Sequence, residues 1–152
     1  MKDEKIQQYL KWQHEKDREL MRTYVNSHPE MESFINACAE IQKASQEGKR
    51  AVMNINVGRT RDDGFHMYLA NELHNPIVAF DSYQEKNGDR FPQIIITANS
   101  PVTEIAVNDI KSISFDTDAD DKCNKYYFVL NYVDNLDYCI LVMVYKNKFD
   151  ID

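Results

Sequence analysis

The chain has 152 residues, 43% apolar and 28% charged, which suits one ordinary domain and excludes a chain disordered throughout. No run approaches the roughly 18 apolar residues of a membrane span. The net charge of −7 falls entirely in residues 51–152, which carry nine Lys/Arg against sixteen Asp/Glu, whereas residues 1–50 carry nine of each; this balance argues against nucleic acid or an anionic membrane as a direct partner.

Ile6, Tyr9, Leu10, Leu20, Met21, Tyr24 and Val25 recur at spacings near three and four, which predicts a helix over residues 3–26. Its apolar stripe is broken by the polar run from Gln13 to Arg18. Ser27-His28-Pro29-Glu30 reads as a second helix start, with Ser27 capping, Pro29 in the first turn and Glu30 at the capping-box spacing. Met31, Phe34, Ile35, Cys38, Ile41 and Ala44 then give a continuous amphipathic face over residues 29–47, and Gly48 ends it.

From Ala51 the hydrophobic period changes to two. Strands are expected at 51–57 and 65–69, joined by a polar loop from Gly58 to Gly64. A third begins at Ile77 after Asn75-Pro76. A fourth, at 93–97, follows the hairpin signal Asn87-Gly88. Further strands are expected at 102–107 and 110–115, then an acidic loop from Asp116 to Asn124, then a long hairpin of 126–133 and 138–145. In each strand of that hairpin both alternating sets are apolar: Tyr126, Phe128, Leu130 and Tyr132 against Tyr127, Val129 and Val133, and Ile140, Val142 and Val144 against Cys139, Leu141 and Met143. Such strands belong in the middle of a sheet with both faces covered. Helices cover one face; a barrel interior, a second sheet or another subunit is needed for the other. The fold class expected is α+β, with two N-terminal helices packed on a mostly antiparallel sheet or small barrel of about six to eight strands, in one domain spanning 1–152.

The Met1-Lys2-Asp3-Glu4-Lys5 start lacks the apolar stretch of a secretory leader. Cys38, Cys123 and Cys139 are an odd number without CxxC spacing, as expected of reduced thiols in the cytoplasm. Asp116, Asp118, Asp120 and Asp121 begin like a calcium loop, but Asp121 stands where that loop needs glycine and Tyr127 where it needs glutamate. His14, His28, His66 and His74 form no zinc motif, and no nucleophile motif is present. A pair formed only by folding, such as Asp81 with His66, is the remaining route to catalysis. No cofactor is expected. Arg59 and Arg61, with Lys49 beyond them, are candidates for holding a small anion, because guanidinium forks suit phosphate and carboxylate. Tyr9 and Trp12, beside the broken stripe, and the four aspartates are candidates for a protein interface.

Glu47-Gly48-Lys49-Arg50 followed by an alternating strand, and later the run from Val102 to Ile113 with its Ile105, Asp109, Ile110 and Ile113 corner, resemble small Sm/SH3-type barrels set behind a helix, as in the YolD-like proteins of bacteria and their phages. The resemblance covers residues 40–115. It implies a barrel and carries over no catalytic residue. The insert around Asn87-Gly88 and the hairpin at 126–145 depart from it. The function expected is a non-catalytic interaction or regulatory protein that binds a protein partner or itself. In its sharper form it is an acidic inhibitor of a basic nucleic-acid-binding partner, such as a bacterial defence protein. The alternative is a binder of, or enzyme acting on, a small anionic ligand.

Overall fold

The computed structural model describes residues 11–12, 15–98, 103–132 and 136–148. A two-residue strand, β1 (Lys11–Trp12), precedes helices α1 (Glu15–Ser27) and α2 (Glu30–Gln46). Strands β2 (Lys49–Arg61), β3 (Gly64–His74), β4 (Ile77–Gln84), β5 (Arg90–Thr97) and β6 (Thr103–Ala106) follow. A 3-10 turn at Val107–Asp109 then leads to β7 (Ile110–Ala119), β8 (Cys123–Tyr132) and β9 (Leu136–Lys148). The fold is α+β, as the change of period at Gly48 requires.

Two sheets form. The larger is wholly antiparallel with order β3-β2-β9-β8-β7; the smaller is β4-β5-β6, with β1 added in parallel at the β4 edge. β3 and β7 end the large sheet without meeting, so it is an open sheet and not a barrel. The central strand is β9, from the far end of the chain, which pairs with β2 along nearly its whole length. A strand so placed is buried by its neighbours, hence its apolar sequence on both faces.

Cross-strand partners share a face. On one face of the large sheet Ile55, Ile140, Phe128 and Phe115 lie in a row, beside the row Met53, Val142 and Tyr126. Onto it packs α2, whose Phe34 meets Phe128 edge to face at 5.1 Å. Met31, Phe34, Ile35, Cys38 and Ile41 are all buried, and Met31, Phe34, Ile35 and Ile41 each stabilise by about 1.5–3 kcal/mol on burial. Helix α1 lies on β4 and β5 of the small sheet. A single hydrophobic core joins both helices to Val78, Phe80, Ile94, Ile96 and Ile105 of that sheet.

Several expectations need correction. Lys11–Trp12 is extended rather than helical, pairing with Ala79 and Phe80. Ser27 does not cap α2: it ends α1 and donates back to the Thr23 carbonyl, and Pro29 stands at the cap position with no side-chain bond. The polar interruption at Gln13–Arg18 is no mere break, because Asp17 within it is buried. The loop from Gly58 to Gly64 contracts to a turn at Asp62-Asp63, and the acidic loop contracts to Asp120–Lys122, since Asp116 to Ala119 pair with Tyr127 to Asn124. In both, ladder bonding to a long partner strand overrode a polar composition that reads as loop. No helix among the described residues is long and apolar enough to cross a membrane.

Candidate interaction surface

The second face of the large sheet is built by the same registers. Its rows run Ala70, Asn56, Cys139, Val129, Ser114; then Glu72, Asn54, Leu141, Tyr127, Asp116; then His74, Val52, Met143, Lys125, Asp118. The middle is apolar at Cys139, Leu141 and Met143 of β9 and Tyr127 and Val129 of β8, the carboxylates Glu72, Asp116 and Asp118 stand at the β3 and β7 edges, and Lys125 of β8 is half-buried and paired with Asp120. Val129, Cys139, Leu141 and Met143 are half-buried and Tyr127 is 40% exposed. None of the five belongs to the core or packs against it. The expected cover over this side of the 126–145 hairpin is therefore not supplied by the described residues.

At the β3 edge the sheet runs on as a projecting hairpin. Every residue from Thr60 to Ala70 is exposed, including Phe65, Met67, Tyr68 and Leu69 at 42%, 57%, 54% and 51%. A bulge at Val57/Gly58, where the pairing shifts by one residue, marks where the arm leaves the sheet. Gly58 is required there: a Cβ would stand 2.2 Å from the His66 carbonyl oxygen and 2.8 Å from the Phe65 ring.

The arm also carries the arginines. Arg61 donates to the Tyr68 hydroxyl at 3.0 Å, and the Arg59 guanidinium lies 5.7 Å from the Tyr68 ring centre. These two cations, Arg61 foremost, pull the phenol below its ordinary value. At the turn Asp63 is bonded to His66 at 2.6 Å. Lys49 does not join them. It lies ten residues away at the other end of β2, about 33 Å along an extended strand, where it pairs with Glu47 at 3.3 Å. His66 and Asp81 belong to different sheets, and His66 is bonded to Asp63 instead.

The four aspartates lie together at the far edge of the large sheet. Asp116 and Asp118 are exposed on β7 and accept the backbone N–H of the next residue. Asp120 accepts from the Lys122 and Cys123 amides at 2.7 and 2.9 Å and pairs with Lys125 at 3.3 Å. Those amides lower its carboxyl to about 2. Asp120 thus closes its own turn, leaving little of it for a metal; no metal-holding group of three His, Cys, Asp or Glu occurs among the described residues. Tyr9 lies outside the described residues, and Trp12 is placed only by its backbone pairing to Phe80.

Sequence reasoning missed a cleft of about 420 Å³ between α1 and β5, lined by Tyr24, His28, Arg90 and Phe91 among others. Tyr24 and His28 stack at 4.3 Å, and burial with the nearby Glu30 pushes the Tyr24 phenol up to about 12. The only signal in the chain was the i, i+4 spacing of the two rings across the helix end. Comparison with family models, with curated proteins and with solved structures gives no match to this chain.

Proposed function

We propose that this chain is a non-catalytic protein-interaction module whose contact element is the β2–β3 arm. The observation that carries the reading is four large apolar side chains, Phe65, Met67, Tyr68 and Leu69, each more than 40% exposed on one hairpin. Burying such groups against a partner is worth roughly 1.5–3 kcal/mol each. Aromatic and methionine side chains flanked by arginine are also the composition of interface centres. The free thiols Cys38, Cys123 and Cys139 fit action in the cytoplasm.

The sharper form takes the partner to be a basic nucleic-acid-binding protein, such as a bacterial defence protein, that meets the acidic β7 edge and is inhibited by it. Asp116 and Asp118 support this, as exposed charges at the sheet edge opposite the arm. Tagged protein is used to capture partners from its native host at several salt concentrations. The reading expects a stoichiometric partner that is lost with Met67→Asp; the sharper form further expects weakened capture at high salt and with Asp116→Asn/Asp118→Asn. Repeated recovery of the chain alone overturns the module, and salt-independent capture overturns the acidic form.

The second reading, a small anion held by Arg59 and Arg61, is favoured by the convergence of both guanidinium groups on Tyr68. Phosphate or a nucleotide should then raise the melting temperature of the wild type and not of Arg59→Ala/Arg61→Ala.

A further inference from the structure

We infer that a second copy of this chain covers the outer face of the large sheet, packing sheet against sheet about a two-fold axis near Leu141. This goes beyond the arm and its partner and rests on different residues. Three observations carry it. The strands β8 and β9 present Tyr127, Val129, Cys139, Leu141 and Met143 on the side away from the helices, and none of these joins the core. The small sheet and both helices belong to the core on the other side, so the described part of the chain offers no second layer for this one.

The second observation is size. Five strands about 4.8 Å apart and ten residues long at about 3.3 Å each make a face of roughly 800 Å², which is about what one partner contributes to a standard stable interface. A sheet face of that extent is matched by another of the same twist, in the aligned packing of a sandwich.

The third is the distribution of charge. On a chain of net charge −7 the middle of this face carries no exposed carboxylate. Glu72, Asp116 and Asp118 stand at the row ends on β3 and β7, and Asp137 is buried, bonded to Thr60 and Asn131. β9 is the third strand of five, so a dyad lying between the two faces over Leu141 sets apolar centre against apolar centre, with the edge carboxylates outside it and Lys125 of β8 already paired with Asp120. That self-complementarity is what an isologous interface requires.

The test is sedimentation equilibrium of the purified full chain over a wide concentration range. The expected mass is twice 17.8 kDa, falling to the single-chain mass for Leu141→Glu and for the milder Tyr127→Lys, with circular dichroism confirming that each variant is folded. A readout without mutation uses Cys139, the half-buried thiol on this face. Its labelling by maleimide, located by mass spectrometry, should slow severalfold as wild-type protein is concentrated. A single-chain mass at every concentration with unchanged labelling overturns the inference, and so does a dimer that survives in both folded variants. Because the chain is studied alone, these outcomes are independent of whether the arm captures a foreign protein.

Discussion

Ser82 donates its hydroxyl to the carboxylate of Asp17 at 2.6 Å, with Asp17 only 1% exposed. This bond ties α1 to β4, and Arg90 of β5 completes it by donating through Nε and Nη2 to the same Ser82 oxygen at 3.1 and 2.7 Å. The guanidinium stands 3.7 Å from Asp17, close enough to offset a buried charge but itself 42% exposed. Removing a partner leaves a buried carboxylate oxygen unsatisfied. Ser82→Ala is therefore expected to cost about 1–3 kcal/mol in chemical denaturation. Asp17→Asn, which keeps the shape and removes the charge, should cost less. Equal losses for both would mean that the charge itself contributes the stability.

Asp81, the neighbour of Ser82, has its carboxyl raised by burial, then by Asp17 and by Glu104. A carboxyl raised in the folded state opposes folding once ionised, and the opposition disappears when it is protonated in both states. Stability should thus fall as pH rises from the ordinary carboxylate range through the higher folded value. Asp81→Asn is expected to melt higher than wild type at pH 7 and at the same temperature near pH 3. Thermal melts across that range check it; a variant no more stable at pH 7 contradicts the assignment.

At Asp120 the sign is opposite. The Cys123 amide and then the Lys122 amide hold the carboxylate at about 2, below its unfolded value. Its contribution is therefore present above the ordinary carboxylate range and is lost as pH falls toward 2. Replacing it with Asn should lower the melting temperature at neutral pH and flatten the acid limb. Wild type and variant should converge near pH 2, followed by circular dichroism.

How far these features could be read from the residues differs with their range in sequence. The α2 stripe from Met31 to Ala44 is local, and its period alone placed the helix. The alternation in 126–145 identified strands apolar on both faces, because a central position leaves that pattern whatever the partners are. What could not be read was which strands are neighbours. The pairing of Ile55 with Ile140 joins residues far apart in the chain, and no local pattern encodes it. The same holds for Asp17 of α1, which is met by Ser82 of β4, 65 residues along the chain. The arginines were legible as a pair, yet their distance from Lys49 followed only once the intervening residues proved to be one extended strand.

Tyr68 is expected to ionise before the other tyrosines whose phenols are perturbed. Arg61 and then Arg59 draw its phenol down, whereas burial drives Tyr24, Tyr126, Tyr132 and Tyr138 upward. Ultraviolet difference titration should thus show an early step that disappears in Tyr68→Phe and moves to higher pH in Arg61→Met. An unmoved step in Arg61→Met would place its origin outside the arm.

Gly58 sets where the arm begins. Its missing side chain is the space that the His66 carbonyl and Phe65 ring occupy, at 2.2 and 2.8 Å from a Cβ position. The carbonyl is backbone within a paired strand, so it cannot swing aside as a flexible side chain would. Gly58→Ala must shift β3 against β2 at the bulge, an overpacking that costs about 1–3 kcal/mol or more. Amide hydrogen exchange locates the damage: protection should fall in the Gly58–Met67 segment first, while the α2 amides, packed on the far side of the sheet, keep theirs. If the arm is the contact element, the same variant should weaken partner capture even at temperatures where the core remains folded. Loss of protection spread evenly through α2 and β9 would instead mean that Gly58 supports the whole domain rather than the arm.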